Sequence, residues 1–425
     1  MLVFVSDDQT RLTVTPEVMP TVYRALVTHG VSYPRFTVSD PLCCPSRASI
    51  MTGRYDHNNG VIANSVVSVF QLDQRSTIQC YLRRAGYRTG FYGKYLNGYP
   101  IDAPHLCLDD FAINHGEQHA GLKVNRNGRI VRPTGYLDEF GLRYANRFIR
   151  RRSRGRHPWY VYFADSYPHS PYVPRPEYAE LNISAPPGTE TPALDETDVT
   201  DKPAPVQARY GHQLGQNQTL ENELRMLRTV DDHFASLLAT LRSAHQLRNT
   251  MIIYVSDNGY LFGEHGLWGK ALPYFEAVNV PMMIRFPHGF RAGTTDLRQA
   301  QNIDLAPTIR RVTSAQTKLR YPFDGRSLLG TWRRPVILTE NFWAPNPTHP
   351  KEQQSKWRSI TTRTYQYTEW RDSGRIIARE YYDRAADPYQ LTNLLGDGDP
   401  ANDPDVAALH AILFRWARCA GTTCR

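Results

Sequence analysis

Four short apolar runs constrain this chain most: LVFVS at 2–6, YRTGFYG at 87–93, WYVYFA at 159–164 and MIIYVS at 251–256. Each is short for a helix and too continuously apolar for a half-exposed strand. That is the pattern of strands buried on both faces of a parallel sheet. Helical patterns lie between them. The clearest begins near Thr219, where Leu224, Leu227, Val230, Phe234, Leu237, Leu238 and Leu241 make one broad apolar face. Strand and helix in alternation predict an α/β fold, a large and mostly parallel sheet flanked by helices. After DGRSLLG at 324–330 the pattern changes to short alternating runs, PVILTENFW and IIAREYYD, then a helical stretch, DVAALHAILFRWAR. This predicts a main α/β domain over 1–330 and a smaller C-terminal α+β subdomain over 331–425, with an antiparallel sheet, packed on it. The Pro-rich, aperiodic segment 184–206 is expected to be a long surface loop beside the site.

The strands run into residues with chemistry. LVFVS leads to Asp7 and Asp8, and MIIYVS to Asp257 and Asn258. Within a strand, neighbouring side chains point to opposite faces, so two such carboxylates meet one ligand only past the strand end, where the chain turns. That carboxyl edge is where open α/β sheets bind ligands. Three carboxylates and an amide oxygen make an all-oxygen set for a hard divalent cation, Ca²⁺ or Mg²⁺. Asp and Asn also start ordinary turns, but two pairs in one chain favour the metal. YRTGFYG leads to Lys94, WYVYFA through Asp165 to His169, and the Gly-rich GEHGLWGK adds His265 and Lys270.

DPLCCPSRAS at 40–49 sets two of six cysteines side by side, too close to bridge to each other. Pro45 as the first helical residue would put Cys44 at the N-cap and Cys43 just before it, with the helix ending at Gly53. A helix N-terminus with Arg47 in its first turn favours an anion and predicts a nucleophilic thiol of lowered pKa.

The formal charge of +9 favours anionic partners. Nucleic acid is not expected. The densest basic run, Arg150 to Arg156, has no interleaved aromatics and reads as a solvated connection, and no zinc spacing or nucleic-acid module appears. No apolar run approaches the ~20 residues of a membrane helix. MLVFVSDDQT has no basic start, so no signal peptide is read, and the natural product is expected to begin upstream or to have lost a leader. Cys419 and Cys424 could close a small loop, which favours export to an oxidising compartment without excluding the cytoplasm. Cys80 reads as a buried small hydrophobe, and Cys107 as free or paired.

The motif Cys43-Cys44-Pro45-Ser46-Arg47, continuing ASIMTGRY, resembles the signature of the formylglycine-dependent sulfatases of the alkaline-phosphatase superfamily. VSDDQ, GFYGKYLNGY, YPHSP, VSDNGYLFGEHGLWGK, NIDLAPTI and YYDRAADPYQLTNL extend the likeness over nearly the whole chain. LCCPSRASIMTGRY with GKYLN is most similar to the N-acetylglucosamine-6-sulfatase branch and its bacterial relatives. The resemblance implies an alkaline-phosphatase-like fold whose domain 1–330 is catalytic. It implies that a maturation enzyme converts Cys43 to Cα-formylglycine, whose hydrate attacks sulfur and is regenerated on release of sulfate. It implies a metal set of Asp7, Asp8, Cys43, Asp257 and Asn258 holding Ca²⁺, with Mg²⁺ as the alternative. Arg47 and Lys94 would hold the nucleophile and metal surroundings. His169 and Lys270 would meet the sulfate and the leaving oxygen, with His169 as general acid. The expected activity is hydrolysis of a sulfate ester on a sulfated sugar. The alternatives are a phosphonate or phosphodiester hydrolase of the same superfamily, or an unmodified metal-binding scaffold for sulfated glycans. One position departs from the family: where many sulfatases carry histidine two residues after the lysine, this chain has Leu96. The 184–206 loop and the residues around Asn64, Tyr95 and Asn97 are the candidates for reading the sugar.

Overall fold

The computed structural model describes residues 1–116, 119–212, 219–342 and 356–425. The four buried runs are strands of one ten-stranded sheet. In chain order its strands are β1 (Leu2–Ser6), β2 (Val31–Ser32), β3 (Arg88–Lys94), β4 (Asp110–Asn114), β5 (Val124–Arg126), β6 (Arg129–Val131), β7 (Trp159–Ala164), β8 (Ile252–Ser256), β9 (Met282–Arg285) and β10 (Thr294–Thr295). Across the sheet they run β10-β2-β9-β8-β1-β7-β3-β4-β5-β6. The central five, β8-β1-β7-β3-β4, are parallel, and β9 and β5 flank them antiparallel.

Alternation along each strand feeds two cores, which is why the runs are apolar throughout. Val3, Val5, Tyr162, Ile253 and Val255 face helices α1 (Cys43–Thr52), α2 (Ile78–Arg84) and α5 (Leu305–Val312). Leu2, Phe4, Phe163 and Tyr254 face α3 (Leu137–Arg152) and α4 (Leu220–Ser243). α4 is the helix expected near Thr219, whose side chain caps it by accepting from the Asn222 amide. Each fully buried aliphatic side chain on its inner face contributes about 1.5–3 kcal/mol.

A second sheet follows: β11 (Ile337–Asn341), β12 (Lys356–Thr361), β13 (Tyr365–Asp372) and β14 (Arg375–Asp383), antiparallel in chain order. Helix α6 (Val406–Trp416) covers one face through Leu409, Leu413 and Trp416, while Trp357, Trp370 and Tyr382 on the other pack against Leu261, Leu267 and Tyr274. Among the described residues, no helix is long and apolar enough to cross a membrane.

Three expectations need correction. Cys80 is disulfide-bonded to Cys107, because the connection after β3 returns beside α2, a contact between distant residues. Arg150 to Arg152 are the last turn of α3, where arginines meet the negative end of the helix, and are not a loop. Helix α1 starts at Cys43 with Leu42 as N-cap, so Pro45 stands third. A first-turn proline is tolerated there because those N–H groups have no intrahelical partner. Gly53 ends the helix in the left-handed region, as expected, and Cys419–Cys424 form the small terminal loop.

Candidate active site

Strands β8, β1, β7 and β3 are neighbours, so Asp257, Asp7 with Asp8, Asp165 and Lys94 emerge side by side at one edge. Asp8 adopts φ +65°, and its amide donates to Asp257 Oδ1 at 3.1 Å, tying the two carboxylate turns together. Asp tolerates that left-handed conformation better than most residues. Helix α1 brings Cys43 and Arg47 to the same edge. The buried Arg47 donates through Nε to Asp257 Oδ2 (2.7 Å) and through Nη1 to the Lys94 carbonyl (2.9 Å), with Nη2 3.5 Å from Asp7 Oδ1. Lys94 Nζ is paired with the second Asp7 oxygen. Lys270 pairs with Asp8 and lies 2.9 Å from Cys43 Sγ. Cys43 Sγ is also 3.9 Å from Asp8 Oδ1 and from Lys94 Nζ. His169 Nε2 stands 3.5 Å from Asp8 Oδ2. Asn258 Nδ2 donates to Asp8 Oδ1, so all nine site residues named from the sequence converge: Asp7, Asp8, Cys43, Arg47, Lys94, His169, Asp257, Asn258 and Lys270.

The charges explain one another. Burial alone would push the Asp7 carboxyl up, but Lys94, His169, Arg47 and Lys270 together hold it well below the carboxylate range. Asp257 goes the other way, to about 6, since burial and the neighbouring Asp7 outweigh Arg47. The Cys43 thiol is a correction: burial raises it well above its ordinary value, outweighing Lys270 and Lys94, so the helix N-terminus and Arg47 do not make it a ready thiolate.

The donor atoms of Asp7, Asp8, Cys43 and His169 lie within 4.8 Å of one another, a group able to hold a metal ion. Two further observations fit a cation. Asp7 Oδ1 and Asn258 Oδ1 are buried without a hydrogen-bond donor, while Asn258 Nδ2 is anchored to Asp8 Oδ1 (2.8 Å) and the Gly259 carbonyl (2.9 Å). Buried acceptor oxygens left over from the hydrogen-bond network are what a hard cation needs. Asp257 is the least available of the expected ligands, since Arg47 and two backbone amides occupy its oxygens.

Several supports had no local sequence signal. His119 holds the His169 carbonyl (2.9 Å) and Ser166 Oγ (3.0 Å). His233 pairs with Asp165 at 2.7 Å. Glu223 of α4 accepts from the Thr10 amide and hydroxyl, fixing the chain after Asp8. Asn64 accepts from the Cys44 amide at 2.9 Å, and Cys44 Sγ accepts from the Asn97 amide at 3.0 Å. Both therefore brace the start of α1. Thr10 and Tyr260, two residues beyond Asp8 and Asn258, border a cavity of about 320 Å³ that Gly188, Thr189 and Thr191 also line, so the Pro-rich loop does lie beside the site.

A mostly parallel sheet with carboxylates, buried cations and a helix N-terminus gathered at its carboxyl edge has the alkaline-phosphatase-like fold of the solved structures similar to it. The chain belongs to the sulfatase family, the sulfuric ester hydrolases of that fold: the sulfatase family model matches residues 2–315. A second model, N-sulphoglucosamine sulphohydrolase C-terminal, matches 263–415. The chain is 28% identical to human N-acetylglucosamine-6-sulfatase over 93% of its own length and 80% of the relative's. It is 28% identical to an extracellular sulfatase SULF-1 homolog of Drosophila melanogaster over 80% of its length, but spans only 31% of that protein. Among solved structures, one in complex with its substrate D-glucosamine-2-N,6-O-disulfate aligns with a TM-score of 0.76 and 20% identity, covering 97% of this chain and 96% of the other. A phosphonate monoester hydrolase from Silicibacter pomeroyi aligns with a TM-score of 0.72 and 20% identity, covering 100% and 96%.

Proposed function

We propose that this sulfatase hydrolyses a sulfate ester on a sulfated sugar, with position 43, as Cα-formylglycine, at the centre of the reaction. The observation that carries this reading is the setting of Cys43: the first residue of a helix, 2.9 Å from Lys270 Nζ and 3.9 Å from Lys94 Nζ and Asp8 Oδ1. A buried thiol of raised pKa is a poor nucleophile there, which supports its conversion by a maturation enzyme. The hydrated aldehyde supplies a hydroxyl nucleophile and a second hydroxyl for release of sulfate.

Asp7, Asp8, Asn258 and position 43 are proposed to hold a Ca²⁺ ion, with Mg²⁺ the alternative, and Asp257 is the expected ligand already engaged by Arg47 and two backbone amides. When bound, such an ion would lower the pKa of a hydroxyl at position 43 and offset negative charge on the sulfuryl oxygens. Arg47 and Lys94 fix the carboxylates. Lys270 reaches position 43 and binds the sulfate. His169 Nδ1 donates to the Ser170 carbonyl at 2.8 Å, so Nε2 is the nitrogen that can carry a second proton to the leaving oxygen.

The likeness to human N-acetylglucosamine-6-sulfatase favours a sulfated amino sugar as substrate. Two disulfides, and the extracellular sulfatase among the relatives, favour export. Residues 331–425 are proposed as a subdomain packed on the catalytic domain 1–330, through Trp357, Trp370 and Tyr382 on one face of its sheet and through Leu338 and Ile360 against Tyr55 and Ile303 on the other.

The test is a mass spectrum of the unalkylated tryptic peptide 36–47, from a host with the maturation system. Conversion makes it about 18 Da lighter at Cys43, and an intact Cys43 would sink the reading. The phosphonate hydrolase neighbour is the observation behind a second reading, separated by comparing turnover of an aryl sulfate and an aryl phosphonate monoester.

A further inference from the structure

Residues 298–334 carry eight Arg or Lys against two Asp, a surplus of six out of the formal +9 of the whole chain. Both acids are buried and committed. Asp304 takes a bidentate pair from Arg334 at 2.7 Å, and Asp324 accepts from the Tyr55 amide and Asn58 Nδ2. What this segment shows to solvent is positive.

Two cavities meet at Trp332 on this surface. One, of about 920 Å³, is bordered by Arg310, Arg311, Arg326 and Arg425, and the other, of about 580 Å³, by Arg298, Arg333 and Arg363. The guanidiniums of Arg334, Arg298 and Arg326 lie 5.2, 5.3 and 5.7 Å from the Trp332 ring, whose electron-rich face lets them crowd. Arg298 is paired with Asp296, the one Asp or Glu among the described residues that line either cavity. Among the described residues, Arg310, Arg311, Arg326, Arg333 and Arg363 have no carboxylate partner. The Nε atoms of Arg310 and Arg326 are buried with no acceptor. Burial, then Arg334 and Arg425, hold Arg326 below its ordinary pKa, a repulsion that a bound anion would relieve.

The surface lies away from the reaction. Helix α1 starts at Cys43 and ends at Gly53, which rests against Phe323 and Pro307 of the larger cavity, and ten helical residues span about 15 Å. Val312 and Thr313, next to Arg311, border a cleft with Met1, Tyr87 and Pro158, the residues that precede β1, β3 and β7. The patch is therefore at the amino edge of the sheet, opposite the catalytic edge.

We infer that this arginine surface around Trp332 is a second binding site, one that holds a sulfated polysaccharide chain outside the catalytic centre. Unpaired guanidiniums spread over two adjoining clefts match a polyanion with repeated charges. The aromatic rings here are not free to stack bases: Trp332 is covered by guanidiniums, and Tyr321 lies under those of Arg54 and Arg320. The choice of a sulfated glycan over another polyanion rests on the activity proposed above. Holding such a polymer at one edge raises the local concentration of ester groups for the other.

The test compares the full chain with the Arg311→Gln/Arg333→Gln/Arg363→Gln variant on columns of dextran sulfate, neutral dextran and duplex DNA, alongside hydrolysis of a small aryl sulfate. The wild type should be retained on dextran sulfate only, and the variant should elute at lower salt. Its log-affinity against log-salt slope should fall by about 2–3, as expected when three charge contacts are lost. Aryl sulfate turnover should stay within about twofold, because none of the three touches the catalytic edge. A variant retained like the wild type overturns the site, and equal retention on DNA overturns the assignment to a sulfated glycan. A protein that hydrolyses no sulfate ester but is retained in this way supports the surface and defeats only the activity.

Discussion

Arginine is used in opposite ways at the two edges of the sheet. At the carboxyl edge Arg47 is buried and held by two carboxylates and a carbonyl, so its charge is spent on fixing Asp7 and Asp257. At the amino edge Arg311, Arg333 and Arg363 are exposed and without acid partners among the described residues. A buried charge is tolerable only when paired, and its removal strands the partner. A solvated charge costs little and remains available to a ligand. The first arrangement builds a rigid centre, and the second a surface read by counterion exchange.

The largest expected effect separates the edges outright. Cys43→Ala should lower sulfate-ester turnover by at least about 10⁴-fold, as when a covalent nucleophile is removed. Retention on dextran sulfate should not change. A joint loss of both would mean that the two edges are one site. Next, Arg47→Met should cost about 3–5 kcal/mol, measured by urea unfolding, because Asp257 and Asp7 lose their buried counter-ion. A cost below about 1 kcal/mol would show that the carboxylates simply protonate or hydrate, and that the centre is not rigidly charged.

How much of this was legible follows the range of the interactions involved. The strands were readable because burial on both faces leaves a continuous apolar run, and the site because strand ends and a helix start carry its residues in short motifs. Cys80 could not be paired with Cys107 by reading, since only the return of the chain beside α2 brings them together. The braces His119, His233 and Glu223 were invisible for the same reason: each meets its partner across 47 or more positions. The sign of the shift at the position 43 thiol is not legible either, because a helix N-terminus can be recognised from sequence but burial depth cannot. The arginine surface has no local signature. Its residues are spaced out along 298–334, with Arg363 and Arg425 beyond, so no local run marks it, whereas the dense run starting at Arg150 is in part a helix end.

A third measurement uses pH, to which arginine does not respond in the accessible range. His265, five residues before Lys270, is buried between Glu196 and Glu276. Burial alone would lower its pKa, but the two carboxylates raise it to about 9. A folded pKa above the unfolded value of about 6.5 means that the stabilisation is complete below pH 6.5 and lost as pH rises through 9. The loss should amount to about 3 kcal/mol, since each pKa unit is worth about 1.4 kcal/mol. Urea unfolding between pH 6 and 9.5 should show it, and His265→Gln should flatten the curve in that window. A wild-type curve already flat there would mean that the imidazole is not charged in the fold.

The smallest effect returns to the opening contrast. Arg333→Gln removes an exposed guanidinium that makes no ion pair among the described residues, so unfolding should shift by no more than about 0.5 kcal/mol. Its sign is informative. Neighbouring guanidiniums repel one another, so removing one should leave stability unchanged or raise it slightly, most clearly at low salt where screening is weakest. The same substitution at Arg47 would be costly at every salt concentration, because its partners are buried. If Arg333→Gln were instead to destabilise by several kcal/mol, the charge would be structural, and the two edges would use arginine in the same way.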